Sequence, residues 1–163
     1  MNCQDSSQYP QAPAGEQRRS ESRWRQAKRR FYFLLFPTFL KILWFHFTSR
    51  QGHQFARLGQ SRGREDLALP AGWARWAATK IARLILRTPI LRQRPCYWRS
   101  QMLYDLLPRF GYPVRLHLGA RLDDDEATTH LWVSIGGRPL AEDPDCEIKY
   151  VELAVYSAEV THV

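Results

Sequence analysis

The stretch His130–Asp143, HLWVSIGGRPLAED, decides how the C-terminal half of this chain is built. Two runs, His130–Ile135 and Arg138–Asp143, flank Gly136-Gly137. A Gly-Gly pair suits a two-residue hairpin turn, whose central residues need positive φ. With those glycines at the turn, Ile135 faces Arg138, and the register carries His130 opposite Asp143 with both side chains on one face. An acid placed there can accept the His130 Nδ1–H, fix the tautomer and stabilise the imidazolium. A one-residue change of turn geometry brings Glu142 into that position instead, and Asp145 is a more remote option.

Working upstream, Pro113–Arg121 alternates Val114, Leu116 and Leu118 with Arg115, His117 and Gly119, the pattern of a half-buried strand. Asp123, Asp124, Asp125 and Glu126 read as a loop, and residues 147–156 read as one further strand. Before the first strand, Met102, Leu103, Leu106, Leu107 and Phe110 mark the apolar face of a helix running from about Cys96 to Leu107. Pro108 and Gly111 stop it. Pro95 suits a helix start, so Cys96 falls in the first turn. The N–H groups and positive end of a helix stabilise a thiolate there and can hold an oxyanion. Cys96, His130 and Asp143 thus form an ordered series of thiol, base and carboxylate.

The front of the chain is helical and basic. In residues 72–87, Trp73, Trp76, Ala77, Ile81, Leu84 and Ile85 share one face, so both Trp residues point to burial rather than to a nucleic acid. Residues 49–70 read as a loop. Residues 24–48 carry an apolar run, Phe31–Phe47, broken by Pro37, Lys41 and His46 and preceded by Arg23, Arg25, Lys28, Arg29 and Arg30. The run is short for a membrane span, which needs roughly 20 apolar residues. A kinked helix packed on the core is its first reading, and a peripheral contact with an anionic membrane is the second. Residues 1–22 read as a disordered tail.

The whole is an α+β protein: a tail (1–22), an N-terminal helical region (23–90) and a core (91–163) in which a helix faces an antiparallel sheet. Of the net +8, residues 1–99 hold 19 Lys/Arg against 5 Asp/Glu, and residues 100–163 hold 5 against 11. The basic front suits an acidic partner or an anionic surface. The three cysteines, Cys3, Cys96 and Cys146, are odd in number and form no CxxC pair. With no secretory signal peptide at the start, they point to a reducing cytoplasm. Cys96, His117, His130 and Cys146 lack the short spacings of a structural zinc site, and no Gly-rich phosphate loop is present.

From Cys96 onward the sequence resembles a known family. The segments Cys96-Tyr-Trp-Arg-Ser-Gln-Met-Leu-Tyr-Asp-Leu-Leu107, Phe110-Gly-Tyr-Pro-Val-Arg-Leu-His-Leu-Gly-Ala-Arg121 and His130–Asp143 resemble the leader peptidases of lasso peptide biosynthesis, members of the transglutaminase-like cysteine peptidase superfamily. That family carries a Cys-x-x-Arg-Ser/Ala helix and a "HAWVExxGxxxxD/E" hairpin. The closely similar region is residues 90–150. The resemblance implies a papain/transglutaminase-like core, with Cys96 as nucleophile and His130 as base. The family's acid often sits twelve residues after the histidine, which favours Glu142, while the hairpin register favours Asp143. Asp143 is the expectation and Glu142 the reserve. Two departures stand out: Leu131 replaces the usual Ala and Ser134 the usual Glu.

The resemblance implies removal of a leader from a ribosomally made precursor peptide. Its implied partners are that precursor, a separate leader-recognition protein and an asparagine-synthetase-like lasso cyclase. Maturation in the family depends on ATP, but no cofactor and no metal is expected on this chain. Two other readings remain at the sequence level: a transglutaminase-like acyl transferase on the same triad, and a non-enzymatic, membrane-apposed scaffold in which Cys96 is structural.

Overall fold

The computed structural model describes residues 14–48, 69, 71–89, 91–123, 126–142 and 149–158. They form an α+β fold: three α-helices and a four-stranded antiparallel sheet. The helices are α1 (Ala14–Thr48), α2 (Ala71–Arg87) and α3 (Pro95–Leu106). The strands are β1 (Val114–Asp123), β2 (Glu126–Ile135), β3 (Arg138–Pro139) and β4 (Val151–Ala158), in the order β3-β2-β1-β4.

Two boundaries differ from the sequence reading. Helix α1 begins at Ala14, so residues 14–22 belong to it rather than to a tail. The acidic run also belongs partly to the sheet, with Asp123 and Glu126 as the last rung of the β1–β2 ladder. The ladder is held by backbone N–H and C=O groups, which these residues carry as any other does, and the neighbouring Leu122 is exposed.

The core lies between the helices and one sheet face. Trp73, Ala77, Ile81 and Ile85 of α2 are buried, as their spacing requires, together with Met102, Leu103 and Leu106 of α3. The Trp73 ring lies 4.4 Å from Phe110 and meets Phe31 of α1 edge-on at 5.8 Å. Truncating an aromatic ring at such a site costs about 3–5 kcal/mol. From the sheet, Val114, Leu116, Leu131 and Val133 complete the layer. Pro108 lacks an amide hydrogen and the chain tightens into a 3-10 turn, Leu107–Phe110, which Gly111 ends at φ 80°.

Helices α1 and α3 are joined by a buried carboxylate. Asp105 is wholly buried, accepts from Thr38 Oγ1 at 3.1 Å and from Lys41 Nζ at 2.7 Å, and pairs with Arg109 at 2.9 Å. Lys41, an interruption in the apolar run of α1, is thereby turned inward.

Candidate active site

Pro95 at the helix start and the absence of any side-chain cap leave the α3 N-terminus open. The N–H groups at the start of an α-helix point outward along its axis, and with the dipole they make its N-terminus favourable to an anion. Cys96 stands in that turn, partly exposed and with a free thiol. One turn on, Ser100 Oγ donates to the Leu131 carbonyl at 2.7 Å. This buried bond ties α3 to β2 at the residue next to His130. Cys96 and His130 line one cleft of about 810 Å³, together with Gln93, Arg94, Leu118, Thr128 and Thr129. Among the described residues no hydrogen bond joins the thiol to the imidazole. Catalytic contacts of this kind often close only when substrate is bound.

The hairpin forms in the expected register. Gly136 and Gly137 adopt φ 58° and 74°, which suits a type I′ turn, and Ile135 pairs with Arg138. The ladder then stops early. Pro139 has no N–H to donate, a last bond runs from Leu140 N to Val133 O, and Ala141 takes the left-handed φ 57°. The chain turns there, so Glu142 is not carried along the strand but swings towards His130. Its Oε2 lies 3.4 Å from His130 Nε2, and its Oε1 pairs with Arg99 Nη2. Asp143, Asp145 and Cys146 lie outside the described residues.

The carboxylate that reaches His130 does so at Nε2, where the sequence reading placed an acid at Nδ1. The extended hairpin assumed for that reading would have continued past Leu140, and the left-handed Ala141 prevents it. With Nε2 facing Glu142, Nδ1 is the ring nitrogen left to accept a thiol proton.

Several residues that sequence reasoning gave no role support this arrangement. Arg99 follows Cys96 by three positions, one helical turn, and that spacing is the available signal for it. Tyr150 stacks on His130 at 4.9 Å, with Trp132 at 6.0 Å on the same imidazole. Gly119 pairs with His130 across β1–β2, and a Cβ there would lie 2.8 Å from Trp132 Cζ3 and 2.9 Å from Tyr150 Cβ. The missing side chain is what admits the aromatic stack. Ser100 contributes through its hydroxyl, which holds the helix to the strand.

Electrostatics follow from this packing. Burial, and next the charge of Arg99, hold the His130 pKa below its ordinary 6.5. The imidazole is therefore neutral at neutral pH and competent to take a proton. Burial pushes the Tyr104 hydroxyl to about 12, with Tyr156 adding to the effect, and burial does the same for Tyr112. Neither phenol supplies an acid or base at neutral pH.

Leu131 and Ser134, the two departures from the pattern the sequence resembles, are absorbed in packing. Leu131 is buried in the core. Ser134 lies 2.7 Å from His117 Nε2, His117 Nδ1 lies 2.6 Å from Glu152, and the His117 ring stacks on Trp132 at 5.2 Å. This explains why His117, on the nominally outward side of an alternating strand, is 8 % exposed. No cluster of His, Cys, Asp or Glu able to hold a metal occurs among the described residues.

Residues 38–155, most of the chain, match the family profile described as the transglutaminase-like superfamily. The chain belongs to the transglutaminase-like superfamily. The superfamily generally includes cysteine peptidases and transferases, and the α+β architecture of this member is consistent with its core. The matched region spans Cys96, His130 and Glu142. No curated protein and no solved structure matches the chain significantly.

Proposed function

We propose that this transglutaminase-like protein is a cysteine peptidase that removes the leader from a ribosomally made lasso-peptide precursor. The observation that carries the reading is the shared cleft of Cys96 and His130, with Glu142 beside Nε2 of that histidine. The resemblance of residues 96–121 and 130–143 to lasso leader peptidases supports the substrate class.

In this reading His130 Nδ1 takes the Cys96 proton, and the thiolate attacks the scissile carbonyl. The C–S bond forms as the carbonyl π pair moves to oxygen, where the open α3 N-terminus stabilises the charge. His130 then gives its proton to the departing amine, which becomes the free N-terminus of the core peptide. Water, deprotonated by the same histidine, cleaves the thioester and releases the leader with a new carboxylate. Glu142 holds the ring and stabilises the imidazolium in both halves, and Arg99 holds Glu142. A separate leader-recognition protein would deliver the precursor, and an asparagine-synthetase-like cyclase would consume the freed amine with ATP.

The test is mass spectrometry of the cognate precursor after co-expression with this chain and its recognition protein, comparing wild type with Cys96→Ala. Leader and core separated by hydrolysis only with wild type is the expected result. A leader carrying an added amine would make the enzyme an acyl transferase. An intact precursor in both, with a Cys96 thiol slow to alkylate at neutral pH, would refute an active cysteine nucleophile.

A further inference from the structure

Helix α1 has two faces of opposite use. Ala27, Phe31, Thr38 and Ile42 are buried against the rest of the fold. On the other side Tyr32, Phe33, Phe36, Leu40, Trp44 and Phe47 stand in solvent, between 46 % and 79 % exposed. Positions 33, 36, 40, 44 and 47 recur at three-four spacing, so these side chains make one continuous stripe. Single exposed apolar residues are ordinary, but a row of five large ones, with Tyr32 beside it, marks an interaction surface.

The same face continues towards the N-terminus as Arg25 and Arg29, both exposed and in helical phase with Phe36 and Leu40. The only Lys or Arg within the stripe's length, Lys41, is turned in to Asp105 and does not interrupt it. Residues 22–64 contain no Asp or Glu. No described helix is long and apolar enough to cross a membrane.

We infer that this face of α1 lies in the interface of an anionic phospholipid bilayer. Tyr32, Phe33, Phe36, Leu40, Trp44 and Phe47 sit at the boundary of headgroups and acyl chains, and Arg25 and Arg29 sit on lipid phosphates. Bulky aromatic side chains are the composition of membrane–water interfaces. A helix with one apolar face and basic residues rests flat there without spanning. The charge decides the occupant: an apolar surface bordered by anions complements an aromatic stripe that carries no acid and runs into arginines, of which Arg25 has the exposed Glu21 3.7 Å away.

The test is co-flotation of the full chain with vesicles of phosphatidylcholine alone and of phosphatidylcholine with roughly a third phosphatidylglycerol, at low and high salt. Binding to the mixed vesicles, weakened by salt, is expected. Arg25→Gln with Arg29→Gln should weaken it by about fivefold per arginine. Phe36→Ser with Trp44→Ser should weaken it at least about tenfold, and Trp44→Ser should remove a blue shift of the emission on binding. All four residues are exposed, and unchanged melting curves will establish that the variants fold. Three outcomes would overturn the inference. One is absence of binding to the mixed vesicles. A second is binding that responds to the arginine variants but not to the serine variants, which is plain polyanion adhesion. The third is self-association by sedimentation that the serine variants abolish while vesicle binding persists, which would assign the stripe to a second copy of the chain.

Discussion

Replacing Arg99 by Met should raise the pKa of His130. Arg99 acts on the imidazole in two ways: it repels the proton directly, and it holds one oxygen of Glu142. The other Glu142 oxygen lies 3.4 Å from His130 Nε2. At an effective dielectric constant of about 20, a carboxylate and an imidazolium at that distance attract by about 5 kcal/mol. In the native site Arg99 opposes this attraction, and burial adds to the opposition, so the pKa is lowered. Without the guanidinium, even a third of the attraction raises the pKa by about one unit. The assay is an NMR titration of the His130 ring protons. The wild-type midpoint should fall below 6.5, the Arg99→Met midpoint should move up by about one unit, and Arg99→Lys should stay low. Stability carries the same sign. A lowered folded pKa means that the unfolded state binds more protons below pH 6.5, so the wild type loses stability as the pH falls from 6.5 through the folded midpoint. Arg99→Met should lose less over that interval. A midpoint in Arg99→Met equal to or below the wild-type value would refute the role given to Arg99.

Other consequences can be measured without a substrate. Asp105→Ala strips a fully buried carboxylate from Thr38, Lys41 and Arg109 and should cost about 3–5 kcal/mol, seen as a fall in Tm of roughly 6–20 °C by calorimetry. Gly119→Ala places a methyl within 3 Å of Trp132 and Tyr150, and should cost about 1–3 kcal/mol in urea melts while shifting the His130 ring resonances. Ser100→Ala leaves the Leu131 carbonyl without its buried donor and should lower stability by about 1–3 kcal/mol in the same assay.

Local chemistry made much of this architecture readable in advance. Gly136-Gly137 announces its turn because few other residues adopt two successive positive φ values. Spacing names Trp73, Ala77, Ile81 and Ile85 of α2, all buried, and Trp76 and Leu84, which are half-buried; α3 is buried beyond its apolar face, taking in Trp98, Gln101, Tyr104 and Asp105 as well. What stayed hidden depends on meetings across the chain. Asp105 looks like a solvated position on a helix until Lys41, sixty-four residues earlier, is seen beside it. His117 alternates with core residues and yet is buried, because Trp132, Ser134 and Glu152 arrive from two other strands. Glu142 meets His130 through one left-handed alanine, and no periodicity encodes that bend. Arg99 was in plain view as part of a Cys-x-x-Arg motif, but its task appears only when Glu142 is beside it.

The carboxylate of Asp105 has one more consequence. Because it locks Thr38 and Lys41 of α1 to the helix that begins at Cys96, the exposed edge of α1 and the cleft share one frame of reference. Whatever surface that edge rests on fixes the bearing of the cleft as well, as a tripod fixes the line of sight of the instrument it carries. An extended peptide approaching the cleft would then arrive from a direction set by the architecture and not by chance collision.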